Sequence, residues 1–171
     1  MSRTSNRALG LSRTLLRLLI SFNAMAGVLL VCAFIASFVI QDTVAGYYRA
    51  RSMDAGILIP TLRIWMAIAV PYFVTVHILL SRLLEMVETV RAGRPFIPEN
   101  AVRLKTIAWC LLVLQLLHLS FGLMVGIVEA ANADVDWSFS ISGWLSVLLL
   151  FVLAGVFEEA ARIRDDLEAM I

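Results

Sequence analysis

Residues 18–40 read LLISFNAMAGVLLVCAFIASFVI, an unbroken run without Asp, Glu, Lys or Arg. As a helix rising about 1.5 Å per residue it covers roughly 35 Å, enough to cross a hydrocarbon core of about 30 Å with some tilt. Its apolar residues do not alternate, so it cannot serve as a barrel strand, and each unpaired backbone amide in lipid costs several kcal/mol. Helix is the only spanning form open to it. Arg3, Arg7, Arg13 and Arg17 precede the run as the positive flank of a secretory signal would. The run is far longer than the roughly 7–15 residues of a signal core, and no small-x-small site follows it, so it reads as a retained anchor.

Working outward, three more such blocks follow at 59–81, 106–128 and 139–157, separated by charged connections. With 61% hydrophobic and 16% charged residues, and a mean hydropathy of +0.89, the chain falls outside the range of water-soluble domains. The expected fold is therefore all-α, a single four-span membrane domain arranged as a four-helix bundle. Arginine and lysine set its direction. The amino-terminal arm carries four, the stretch 82–105 carries five and the tail 158–171 carries two; the opposite side has only Arg49, Arg51 and Arg63, with Glu129, Asp134 and Asp136 in the third loop. Eleven against three places both termini and the middle connection in the cytoplasm by the positive-inside rule. Tyr47, Tyr48, Trp65, Trp109, Trp137 and Trp144 fall near the proposed boundaries, where amphipathic rings favour the headgroup level.

The second helix is expected to run on past the membrane. Leu83, Leu84, Val87 and Val90 continue an apolar stripe while Arg82, Glu85, Glu88 and Arg91 take the other face. Gly93 is placed to end it in the left-handed conformation, Pro95 and Pro98 prevent its resumption, and Pro98 with Glu99 can open the next helix. The fourth helix should extend likewise, since Val156, Ala160, Ile163, Leu167 and Ile171 recur at helical spacing, with Glu158 paired to Arg162 four residues on. The exposed stripe of the second helix is the natural place for this tail to dock.

Two stretches carry a family likeness. Gly93-Arg94-Pro95-Phe96-Ile97-Pro98-Glu99-Asn100, continuing to Leu104, resembles the Gly-x-Pro-Phe and Glu-Asn pattern of the bacterial membrane proteins grouped as domain of unknown function 2975. The tail, with Phe157, Arg164, Asp165 and Asp166, resembles that family's Phe-x-x-Gly followed by Leu-Arg-Asp/Glu-Asp/Glu, except that Ala160 stands in place of the glycine and Met170 where a small hydroxyl residue is commoner. The resemblance implies an architecture, a bacterial inner-membrane location and no activity. Members of that family are often encoded beside small helix-turn-helix regulators, which implies a cytoplasmic regulator protein as partner.

Polar residues inside spans are costly and hence functional suspects: Asn23, Arg63, His77, Gln115 and His118. Arg63 lies near an outer boundary and can snorkel. His77 and His118 sit at unmatched depths of about 6 and 18 Å from the same side, which argues against a shared haem, and zinc would need two further ligands. Gln115, His118, Gly122 and Gly126 share one face at spacings of three and four, a helix-packing seam that could serve the monomer or a homo-oligomer. Pro71 should kink the second span. Cys32 and Cys110 fall within apolar blocks and read as buried hydrophobes. Asp165 and Asp166 are adjacent on a helix, so they read as a solvated face. No catalytic triad, phosphate loop, nucleotide fingerprint or Cys-x-x-Cys pair is present, and a net charge of +1 with arginines beside membrane segments gives no case for nucleic-acid binding. The expected function is non-enzymatic and without cofactor, an interaction or signal-relay module in the lipid bilayer; the alternative is a subunit of a small oligomeric transporter or channel.

Overall fold

The computed structural model describes residues 3–129 and 137–169, and the side-chain surroundings of 10–125 and 137–167 within them. Asp134, Asp136, Met170 and Ile171 lie outside the described residues, as do the surroundings of Gly126 and Glu129. Five helices follow in order: α1 (Arg3–Val39), α2 (Gln41–Arg49), α3 (Ala55–Arg91), α4 (Pro98–Glu129) and α5 (Ile141–Ala169). All except α2 are long and apolar enough to cross a membrane.

The side chains are distributed as lipid solvation requires. Leu18, Phe22 and Leu29 on α1 and Leu148, Leu149 and Val152 on α5 are exposed, whereas the residues most buried on α4 and α5 include Ala101, Ala108, Ala154 and Ala161. Lipid tails are as apolar as leucine, so helices gain little by hiding large side chains from them and associate through small residues that let backbones approach. The alanines lie seven residues apart on each helix, which keeps them on one face. Sequence reading placed the seam at Gln115 and the glycines and missed this second one.

The long helices pack as an open row. α1 lies against α3, α3 against α4 and α4 against α5; no other pair of long helices makes more than marginal contact among the described residues. The four long helices expected as a bundle are thus arranged as a row with two free edges, α1 and α5. Short connections explain the order, because each successive long helix turns back beside its predecessor.

Sparse polar bonds fix the first two long helices. Asn23, buried on α1, donates from Nδ2 to the Phe73 carbonyl of α3 at 3.0 Å. Arg63 does not simply reach for the surface as sequence suggested: Nη2 donates to the Ser37 carbonyl and to Gln41 Oε1, both at 2.9 Å, while its guanidinium carbon stands 4.0 Å from the centre of the Phe38 ring. It thus satisfies a carbonyl in the last turn of α1, where no intrahelical partner remains. The short α2, unforeseen in the sequence, buries Ala45 against Ala55 and Ile59. The Asp54 side chain then opens α3, accepting from Gly56 N at 2.8 Å as an N-cap.

At the opposite end the chain reverses between α3 and α4 as the sequence predicts. Gly93 has φ +74°; its N–H donates to Val90 O at 3.1 Å and that of Arg94 to Thr89 O at 3.0 Å. These two bonds form a Schellman stop, in which only glycine adopts the backbone without strain. Pro98 opens α4, with Glu99 in its first turn. The helical extensions beyond the proposed spans belong to α1 as well as to α3 and α5, since α1 already begins at Arg3.

Candidate functional site

The site is the arginine-rich end, where the reversal at 92–97 is tied into α3, α4 and α5. Its centre is Asn100, whose exposure is 0%. A buried carboxamide needs acceptors for two N–H groups and donors for its oxygen. Nδ2 donates to Thr89 Oγ1 at 2.7 Å and to the Pro95 carbonyl at 2.8 Å, while Oδ1 accepts from Arg103 Nη1 at 2.9 Å. The Thr89 hydroxyl reaches the Met86 carbonyl at 2.8 Å, so it can accept from Asn100 and pass its own proton to α3. One amide thereby joins the end of α3, the reversal and the first turn of α4.

Arg103 carries the network onward. Its Nε donates to Glu85 Oε2 at 2.9 Å, and Glu85 also accepts from Arg82 Nη1 at 3.0 Å. Partial burial alone would raise the Glu85 pKa; hydrogen bonds from Arg82 and Arg103 outweigh it, and with the nearby positive charges they hold the carboxyl below its ordinary value. One turn on, Glu88 faces α1, with Arg13 Nε at 3.2 Å and Arg17 Nη2 at 3.6 Å. These ion pairs are substantially exposed and each contributes little by itself.

The tail reaches the same place from the other side. The Phe96 and Phe157 rings have centroids 5.5 Å apart, and Arg164 Nη1 donates to the Phe96 carbonyl at 3.1 Å. The tail therefore docks on the reversal and the start of α4, not on the stripe of α3 as expected, since α5 packs against α4 and not against α3. Within the tail Arg162 pairs with Glu159 at 2.6 Å, three residues back, and not with Glu158. Asp165 and Asp166 line a groove of about 570 Å³ shared with Pro98, Ala101 and Lys105 of α4.

All the motif residues expected between Gly93 and Asn100, and Phe157 and Arg164 of the tail, thus meet at one end. Thr89, Arg103 and Glu85 were not singled out as a set, although their spacing on α3 and α4 places them beside Asn100. Gln115, His118 and Gly122 belong to a separate region. There a β-carbon added at Gly122 would overlap the Trp137 indole, one added at Gly143 would overlap the Gln115 carboxamide, and His118 Nε2 lies 3.3 Å from the Ser138 carbonyl. This part of the seam closes α4 onto residues 137–143 of the same chain. His77 instead lines a groove between α1 and α3 with Asn23 and Phe73, so the two histidines are not brought together. Among the described residues no three His, Cys, Asp or Glu side chains are grouped to hold a metal ion.

Two outcomes follow for purified protein in detergent. Asn100→Ala strands Arg103, Thr89 and the Pro95 carbonyl and should lower thermal stability by about 1–3 kcal/mol, the range for a buried partner left unsatisfied; an unchanged melting temperature contradicts the network. Because the folded-state pKa of Glu85 is depressed, its stabilising share is full above the ordinary carboxylate value of 4.5 and is lost as pH falls through the lower folded value. Wild type should lose melting temperature below pH 4.5 more steeply than Glu85→Gln, and equal slopes contradict the assignment.

Comparison with known proteins agrees with the resemblance read from these same residues. A family model described as "Protein of unknown function (DUF2975)" matches residues 23–171, which includes α3, α4, α5 and the whole of the Asn100 network. Neither the curated proteins nor the solved structures yield a match. With the match running from the middle of α1 to the last residue, this chain belongs to the DUF2975 family.

Proposed function

We propose that the chain is a non-enzymatic interaction module of the bacterial inner membrane, with both termini in the cytoplasm, that presents its Phe96 end to a cytoplasmic regulator protein. The observation that carries this reading is the contrast within one short segment. Asn100 is sealed at 0% exposure, whereas Phe96, four residues before it and held at its carbonyl by Arg164, is 46% exposed. An aromatic ring on a rigid mount is the kind of anchor that dominates protein recognition, because it offers large contact area at little cost in conformational freedom. The arginine bias of this end supports its placement on the cytoplasmic side.

The same joint gives a physical route for a relay. The tail touches Phe96, the Phe96 segment is bonded through Pro95 to Asn100, and Asn100 is bonded to both α3 and α4. A partner that displaced the tail would thereby alter a contact shared by three membrane helices. Such a contiguous chain of packed and hydrogen-bonded groups is what carries coupling between distant faces.

Phe96→Ala removes the exposed ring and leaves the backbone bond to Arg164 in place. It should abolish recovery, measured by quantitative mass spectrometry, of the protein bound by wild type in crosslinked native membranes, with insertion unchanged and only a modest fall in melting temperature from the lost Phe157 contact. Equal recovery of the same partner by wild type and Phe96→Ala, or recovery of none by wild type, contradicts this function.

A further inference from the structure

The open row leaves one face uncovered on each edge helix, and both faces carry apolar stripes, that of α5 interrupted by Glu159. On α1 the exposed residues Leu11, Leu15, Leu18, Phe22, Met25 and Leu29 recur at alternating spacings of four and three. On α5 the exposed Leu145, Leu149, Val152, Val156, Ile163 and Leu167 do much the same. Spacing of this kind forms a seam for another helix. Lipid accounts for the middle of each stripe. It does not account for the ends, because Leu11 (75% exposed) and Leu15 (56%) stand before the apolar run that begins at residue 18, among Arg13 and Arg17. Ile163 (52%) and Leu167 (55%) likewise stand beyond residue 157, among Arg162, Asp165 and Asp166.

The charges flanking these ends are opposite. Residues 3–17 contain four arginines and no carboxylate, whereas 158–168 contain five carboxylates and two arginines. Within the chain Arg13 and Arg17 share one carboxylate, Glu88. The two ends also lie at the same end of the molecule, because Glu88 of α3 holds the α1 arm and the Phe96 reversal that follows α3 holds the α5 tail. α1 enters the row from that end and α5 leaves by it, so the positive pole of one helix would stand beside the negative pole of the other.

We infer that a second copy of this chain covers these faces, with α1 of one copy packed antiparallel against α5 of the other. A two-fold axis along the membrane normal would repeat the contact with the copies exchanged, α1 on α5 and α5 on α1, and so close the pair as an isologous interface. It unites the apolar stripes inside and outside the lipid and sets the basic arm against the acidic tail. The contact does not depend on the cytoplasmic partner proposed above.

The test uses full-length chains in which Cys32→Ala and Cys110→Ala remove the native thiols. One differently tagged copy carries Leu11→Cys, Leu15→Cys or Phe22→Cys, the other Leu167→Cys, Ile163→Cys or Val156→Cys, each at an exposed position. The copies are co-expressed, shown to be inserted by carbonate extraction, and oxidised in native membranes. At least one pairing should give a mixed disulfide dimer several-fold above either same-variant dimer, and Asp165→Arg with Asp166→Arg should reduce it several-fold. Same-variant dimers alone, cross-links only to other proteins, or no mixed dimer in any pairing overturns the inference. A chain carrying both Leu15→Cys and Ile163→Cys that forms only an internal bridge overturns it in favour of closure within one copy.

Discussion

A backbone amide carried into hydrocarbon has only its own segment to bond with, and this constraint shapes the molecule from Leu18 onward. It makes each long apolar block a helix and turns the usual side-chain distribution inside out. It also limits what can hold one helix to another. Large side chains such as Phe22 and Leu149 gain nothing by leaving lipid, so the row is assembled from small residues, notably Ala101, Ala108, Ala154 and Ala161, and from a few polar bonds. Asn23 to the Phe73 carbonyl is one such bond, and the reach of Arg63 to the end of α1 is another.

Where the helices emerge at the arginine-rich end, water returns as a competitor and the chemistry changes. Packing of aliphatic side chains there gives way to a connected network: Glu85 to Arg103, Arg103 to Asn100, and Asn100 to Thr89 and Pro95. The central carboxamide is removed from water, which makes its bonds strong and the loss of any partner costly. The outer ion pairs, Arg13 and Arg17 with Glu88, are wet and weak by comparison. The same segment thus contains a rigid core and, four residues away, an exposed phenylalanine. That combination distinguishes this end from the opposite one, where α2 folds back onto the start of α3.

Much of this was legible in residues that act locally. The four apolar blocks announce themselves by length, and Gly93 followed by Pro95 and Pro98 specifies a helix stop and restart through φ preferences alone. The motif from Gly93 to Asn100 coincides with the reversal between α3 and α4 and with the buried Asn100 network. Features set by tertiary packing were not legible. Glu158 to Arg162 is the better-spaced helical pair, yet Arg162 bonds Glu159, because pairs three and four residues apart differ by only tenths of a kcal/mol. The tail docks on Phe96 through Phe157 and Arg164 and leaves its apolar stripe exposed, an outcome that depends on the row order, which hydropathy does not encode. The short α2 escaped notice because its nine residues are too few and too mixed in character to signal a helix, which packs instead through Val44, Ala45 and Tyr48 against the start of α3. The arginine arm read as a flank of the first span; in the structure it is helical from Arg3, and its Arg13 and Arg17 meet Glu88, a residue far away in sequence.

The account rests most heavily on four crossings that leave the Asn100 end facing the cytosol. Labelling of intact cells with a membrane-impermeant thiol reagent, in a background lacking Cys32 and Cys110, tests this directly. A thiol introduced at Ser52, in the turn between α2 and α3, should react without permeabilisation, and one introduced at Arg94 should react only after it. Labelling of Arg94→Cys in sealed cells, with Ser52→Cys protected, would contradict the orientation and remove the basis for a cytoplasmic partner.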